Sequence, residues 1–271
     1  MSEPAATVPR PPNFYTEPEW LEVGGVRTAY RRKGQGEPVL FLHGTGFTRM
    51  WLPVYERLSE RVDLIAPEHP GFGETETPDW LSSFDDLVIH YDELLDALGL
   101  DTVHLVGYSL GGWIAAEFAT FHPRRLRSLT LIVPPGLRVT GGPDRADIFA
   151  MEPEQSLGTI FNDPTNMMSV LGEETVEEVV HVYGEMSTTA RLTWNPRYNT
   201  KLEHRLPRVG CPALVVLAEN DRLIPEEIGA RYAELLPNAR TERVPGTGHA
   251  LAVEQPDAAA DLIARFVEAS R

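Results

Sequence analysis

One stretch limits what this chain can become more than any other. Val103 to Phe121 reads VHLVGYSLGGWIAAEFATF. It opens on a short apolar run and turns through Gly107-Tyr108-Ser109-Leu110-Gly111. It continues with Ala115, Ala116 and Ala119 beside apolar Ile114 and Phe118 at helical spacing. Gly-x-Ser-x-Gly between a strand and a helix is the pattern that lifts a serine onto a sharp corner. Such a corner crowds the backbone, so the residues two before and two after the serine need almost no side chain. Gly107 and Gly111 occupy those places, and Gly112 adds room for packing. The helix start also turns free N–H groups and a positive dipole end toward the serine. Ser109 is therefore a candidate nucleophile. The competing reading is a glycine-rich turn with an inert serine.

The rest of the chain alternates strands with helices around this stretch. Trp20 to Val23 and Val26 to Arg32 predict a hairpin turning at Gly24-Gly25. Pro38 to Leu42 and Val62 to Ala66 are apolar runs of the kind buried on both faces of a parallel sheet. Trp51 to Leu58 predicts a helix, and Phe84 to Leu98 a strongly amphipathic one closed by Gly99. Leu129 to Val133 is a further strand. From Pro134 to about Leu206 no strand signal appears. Val176, Val179, Val180 and Tyr183 make one apolar helical face there, with Glu174, Glu177 and Glu178 opposite. This segment reads as a mostly helical insertion. The rhythm then resumes with strands at Ala213 to Leu217 and Arg240 to Val244, and helices at Glu226 to Leu236 and Pro256 to Ala269.

Alternation of this kind implies an α/β fold with a mostly parallel sheet covered on both sides. Ligands bind such sheets outside the carboxyl ends of the strands. His43, Ser109, Asp221 and His249 all follow predicted strands, so they are expected on one rim.

Bulk properties exclude several functions. The 271 residues suit one large domain, or one domain with an insertion. The 40 acidic side chains outnumber the 24 basic ones, a net charge of −16. That argues against nucleic acid and anionic membranes as partners. The single cysteine, Cys211, forbids an intrachain disulfide and suits a reducing, cytoplasmic setting. No apolar run approaches a membrane span, and residues 1–16 have the prolines of a tail but no apolar core of a secretory signal.

A serine hydroxyl needs a base to take its proton and a group to orient that base. His249, in the glycine-rich Pro245-Gly246-Thr247-Gly248-His249 after a strand, is the candidate base; an ordinary loop histidine is the alternative. Asp221, in Ala218-Glu219-Asn220-Asp221-Arg222, is the candidate orienting acid, with Glu219 competing and Asp144 a weaker rival. No pair of histidines has zinc-ligand spacing, so neither metal nor cofactor is expected. The residue after the nucleophile, Leu110, would offer one backbone N–H to an oxyanion.

The order Ser109, Asp221, His249, with HGTG at 43–46, PEHPGFG at 67–73, GYSLGG at 107–112, AENDRLIP at 218–225 and GTGHAL at 246–251, resembles the α/β-hydrolase family over nearly the whole chain after the tail. The resemblance implies an α/β-hydrolase fold: eight strands, the second antiparallel, and a helical lid inserted after the sixth. The expected parts are then a tail at 1–16, a core at 17–134 and 207–271, and a lid at 135–206. The resemblance also implies a second oxyanion donor at Thr45, with Gly46 as the alternative, and a structural His43. PEHPGFG departs from the commoner Asp-x-x-Gly-x-Gly form by carrying Glu68, and is read as a shaping loop.

Phe47, Trp51, Tyr108, Trp113, Met167, Met168 and Trp194 are candidate pocket residues, with ordinary packing between lid and body as the alternative for each. The expected activity is hydrolysis of a small carboxylic ester, lactone or thioester through an acyl-enzyme, by a monomer or homodimer acting on a small molecule. Two rivals use the same residues. One is hydrolysis of a carbon–carbon bond in a diketone-like substrate; many meta-cleavage hydrolases place Trp after the histidine and Asn before the nucleophile, where this chain has Ala250 and Tyr108. The other is a ligand-binding or cyclase-like protein without hydrolytic turnover.

Overall fold

The computed structural model describes residues 13–170, 175–194 and 197–270. Residues 1–12 of the expected tail, Glu174, and the side chains of Met167, Met168 and Glu177 lie outside the described residues. The elements in chain order are β1 (Glu19–Val23), β2 (Val26–Gly34), β3 (Pro38–Leu42), α1 (Pro53–Ser59), β4 (Asp63–Pro67), α2 (Phe84–Ala97), β5 (Val103–Tyr108) and α3 (Leu110–Phe121). They continue as β6 (Leu126–Ile132), α4 (Pro153–Ile160), α5 (Val176–Thr193), α6 (Leu202–Arg205), β7 (Ala213–Ala218), α7 (Glu226–Leu235), β8 (Ala239–Val244), α8 (Leu251–Glu254) and α9 (Pro256–Ala269).

The hairpin turns where Val23 faces Val26, leaving Gly24 and Gly25 with φ of 55° and 81°. Two positive φ values in a two-residue loop match the twist of the strands it joins. The eight strands form one sheet in the order β1-β2-β4-β3-β5-β6-β7-β8. β2 runs antiparallel to both neighbours, and every pairing from β4 to β8 is parallel. This is the mostly parallel eight-stranded sheet expected, with its second strand reversed.

Helices cover both faces. On one, Leu87, Tyr91, Ile114, Phe118 and Tyr232 from α2, α3 and α7 pack into the core. On the other, Val54, Leu58, Ile263 and Val267 from α1 and α9 do so. Central β5 is buried at all six positions, and its one histidine, His104, pairs its Nδ1 with Ser128 Oγ at 2.8 Å. The predicted helix at Trp51 begins two residues later. Pro53 takes the first helical turn, where its missing N–H costs nothing, and leaves Trp51 and Leu52 outside.

Between β6 and β7 every regular element among the described residues is helical. The helix α5 is inverted relative to a normal amphipathic packing. Its apolar face looks outward: Val176 is 76% exposed and Tyr183 74%, with Val179 and Val180 exposed between them. Its buried face is mostly polar, formed by Glu185, Thr188, Thr189, Leu192 and Thr193. Among the described residues no helix is long and apolar enough to cross a membrane.

Candidate active site

Three strand ends and one helix start meet at the carboxyl rim of the sheet. Ser109 stands between β5 and α3 with φ 52° and ψ −117°, a conformation non-glycine residues avoid. Its neighbours explain how the corner closes. A Cβ on Gly111 would lie 2.2 Å from the Leu42 carbonyl oxygen, and one on Gly107 would lie 2.3 Å from the Gly111 carbonyl oxygen. Only glycine lets α3 lean against β3 and β5 this closely.

His249 comes from the loop after β8. Its Nε2 lies 2.7 Å from Ser109 Oγ, and its Nδ1 2.8 Å from Asp221 Oδ2. A carboxylate only accepts, so Nδ1 carries the proton and Nε2 is free to accept from the serine hydroxyl. The other oxygen of Asp221, Oδ1, accepts the N–H groups of Leu223 and Ile224 at 2.9 and 2.8 Å. The carboxylate is thus fixed at both ends. The rival acids are engaged elsewhere. Glu219 accepts the Gly246 N–H at 2.8 Å, anchoring the histidine loop, and Asp144 accepts the N–H of Arg145 at 2.9 Å.

Leu110 and Thr45 bring backbone N–H groups to the same rim, and neither has an acceptor among the described residues. The alternative donor Gly46 is occupied, giving its N–H to Glu185 Oε2 at 3.2 Å. Beneath this loop His43 and His69 stack with ring centroids 3.7 Å apart. The His69 N–H donates to His43 Nε2 at 3.0 Å, so His43 Nδ1 donates to the Gly44 carbonyl at 2.8 Å. Burial pushes the pKa of His43 down and that of His69 well down, keeping both neutral supports. Glu68 accepts from Arg31 at 2.6 Å and from the Arg49 N–H at 2.8 Å, which accounts for glutamate in PEHPGFG.

The expected pocket residues separate by position. Tyr108 is buried, gives its hydroxyl to the His249 carbonyl at 2.7 Å, and stacks with the imidazole at 5.9 Å. Phe47 lies 5.9 Å from the Tyr108 ring. Trp51 donates to Glu56 at 2.8 Å and packs on Tyr55, while Trp113 stacks on Phe84 at 4.0 Å and donates to Glu117 at 3.0 Å. The partners of these two indoles lie in α1, α2 and α3 of the body. Trp194 is exposed, 6.0 Å from Phe149. Cys211 stands apart, its thiol pushed up to about 11 by burial.

Three further residues hold the rim together. Asn162, just after α4, donates to the Gly246 carbonyl and accepts from Asn220, both at 3.0 Å, tying the histidine loop to the aspartate loop. Glu254 accepts the Gly248 N–H at 2.7 Å. Glu185 reaches down from α5. No local pattern marks Asn162 or Glu254, because single polar residues of this kind are common in loops and their partners come from other segments of the rim. For Glu185 a signal existed: Glu185, Thr188, Thr189 and Thr193 form a polar stripe at helical spacing.

A family model described as the alpha/beta hydrolase family matches residues 39–262. A protein of Azorhizobium caulinodans, provisionally named a carbamate hydrolase, is 28% identical over 88% of this chain and 93% of its own length. A 2-hydroxy-6-oxononadienedioate/2-hydroxy-6-oxononatrienedioate hydrolase of Paraburkholderia phymatum is 29% identical over 83% of this chain and 85% of that protein. Among solved structures, a meta-cleavage product hydrolase from Pseudomonas fluorescens superposes with a TM-score of 0.77 at 22% identity, covering 94% of this chain and 99% of that one. That last likeness is one of fold.

Proposed function

The chain belongs to the alpha/beta hydrolase family and is an enzyme of that family, and from that premise we propose that it is a serine hydrolase cleaving a small carboxylic ester, lactone or thioester. The hydrogen-bond chain from Asp221 through His249 to Ser109 carries the reading. His249 Nε2 takes the hydroxyl proton as Ser109 Oγ bonds to the substrate carbonyl carbon. The N–H groups of Leu110 and Thr45 receive the oxyanion. The imidazolium then protonates the departing alcohol or thiol as its bond to carbon breaks, leaving an acyl-enzyme. Water, deprotonated by the same imidazole, releases the acid and restores Ser109. Asp221 holds the tautomer throughout. Tyr108 and Phe47 wall the site, and residues 135–206 act as its lid over a core formed by 17–134 and 207–271.

Hydrolysis of a carbon–carbon bond in a diketone-like substrate is the second reading, favoured by the name of the Paraburkholderia relative. Ala250 and Tyr108, in place of the expected Trp and Asn, weigh against it. A panel of nitrophenyl esters and a vinylogous diketone, assayed side by side, separates the two.

The deciding experiment is labelling with a fluorophosphonate and peptide mapping. Adduct on Ser109 is expected, together with loss of ester turnover by about a thousandfold or more in a folded Ser109→Ala variant. Adduct on another residue, or none, would defeat the reading.

A further inference from the structure

On the reading that Ser109 is acylated, we propose that Glu185 is a positioning residue that sets the oxyanion loop from above. It sits on the inward face of α5, 3% exposed, and reaches two loops of the core at once. Oε2 accepts the N–H of Gly46 at 3.2 Å, in the loop after β3. Oε1 accepts the N–H of Gly73 at 3.1 Å, in the loop after β4, and the hydroxyl of Thr48. His181, one turn earlier on α5, lies 3.4 Å from Oε1.

The arrangement decides which amide faces the substrate. Thr45 and Gly46 carry consecutive N–H groups after His43-Gly44. With the second drawn up to the carboxylate, the first is left for the oxyanion. Thr189 fixes the same residue from the side. Its hydroxyl donates to the Glu185 carbonyl at 2.9 Å, so it accepts from the Thr45 hydroxyl at 3.0 Å. Glu185 and Thr189 therefore grip adjacent residues of one loop, four positions apart on one helix face.

Only a carboxylate fits this role. It offers an acceptor oxygen to each loop, whereas an amide offers one acceptor and one donor. In Glu185→Gln the NH2 must face the N–H of either Gly46 or Gly73, and one loop loses its anchor. The carboxylate charge itself opposes an oxyanion, so a fall in kcat in Glu185→Gln, which removes that charge, reports lost positioning.

The test compares wild type, Glu185→Gln and the milder Thr48→Val with nitrophenyl acetate, phenylboronic acid and thermal unfolding. A lost oxyanion donor costs about a hundredfold in kcat, so a displaced one should cost about tenfold in Glu185→Gln and several-fold in Thr48→Val. KM should stay within about twofold, and affinity for the boronate, whose tetrahedral adduct needs the same donors, should fall in step with kcat. A purely structural role would lower the melting temperature without that parallel. If folded variants keep their kcat, or lose only in KM, Glu185 has no such role. If Glu185→Gln does not fold, Thr48→Val decides alone. If the wild-type chain neither turns over the ester nor binds boronate at Ser109, the acyl-enzyme reading itself fails, and this role with it.

Discussion

At the scale of single residues, the site depends on a strained serine and the space around it. Ser109 holds its left-handed φ because β5 and α3 overdetermine it on either side. That space differs among the three glycines of the corner. A Cβ on Gly111 would strike the backbone of Leu42 and His43 at 2.2 and 2.5 Å, whereas one on Gly112 would meet the Gly107 carbonyl oxygen and Pro134 at 3.2 Å. The first overlap demands a backbone shift, and the second a displacement of a few tenths of an ångström. Gly111→Ala should therefore cost several kcal/mol, about 3 or more, and Gly112→Ala about 1 kcal/mol or less. Urea unfolding of the two variants checks the order; equal losses would mean the corner is looser than its geometry. Ser109, Asp221 and His249 were legible in the sequence because each follows a strand, and strand ends of a parallel sheet share a rim. The bond that takes up the Gly46 N–H was not, because its acceptor, Glu185, is distant in sequence and reaches in from another element.

At the scale of elements, α5 is the instructive case. Hydrophobic periodicity located the helix, and the strands came out to within three residues of their observed ends. Periodicity could not say which face of α5 turns inward. The rule that apolar faces seek the core assumes an apolar surface to meet. Here the helix lies over loops after β3 and β4, whose unpaired N–H and hydroxyl groups require acceptors. Glu185 and Thr189 meet that demand, and the valines are left outside. Val180→Ser and Tyr183→Ser should change unfolding free energy by less than about 0.5 kcal/mol, as exposed positions do. Leu192→Ala, on the buried face, should cost about 2–5 kcal/mol. Large losses at Val180 or Tyr183 in the isolated chain would contradict the inverted packing.

For the whole molecule, the ionisable groups inside the fold set how it responds to acid, and they pull in opposite directions. Burial raises the carboxyls of Glu68 and Glu117, so the folded chain binds their protons more readily than the unfolded chain. Acidification relieves that cost. Glu185 is the exception among these buried carboxylates. Burial pushes it up, but His181 and Thr48 outweigh burial and hold it below its ordinary value. Its contribution is lost as pH falls through that lowered value. Buried imidazoles work against acid stability too. His90 on α2 is buried with neither ring nitrogen paired among the described residues, and burial pushes it down to about 4. An imidazole in the unfolded chain titrates near 6.5, so between these values the unfolded state binds the extra proton and stability falls as pH drops. Traversing the window should remove about 3 kcal/mol through His90 alone. His43 and His69 add losses of the same sign, since burial lowers both. The raised carboxyls act in the opposite sense above their ordinary value, where the unfolded chain has released protons that the folded chain still holds. His90→Leu leaves no polar atom to desolvate and keeps the volume nearly unchanged. Its unfolding free energy at pH 7 should lie within about 1 kcal/mol of wild type, while its decline from pH 6.5 to 4 should be shallower by about 3 kcal/mol. Urea titrations at four pH values across that window measure both; parallel curves for the two proteins would show that His90 is not the buried neutral group its surroundings imply.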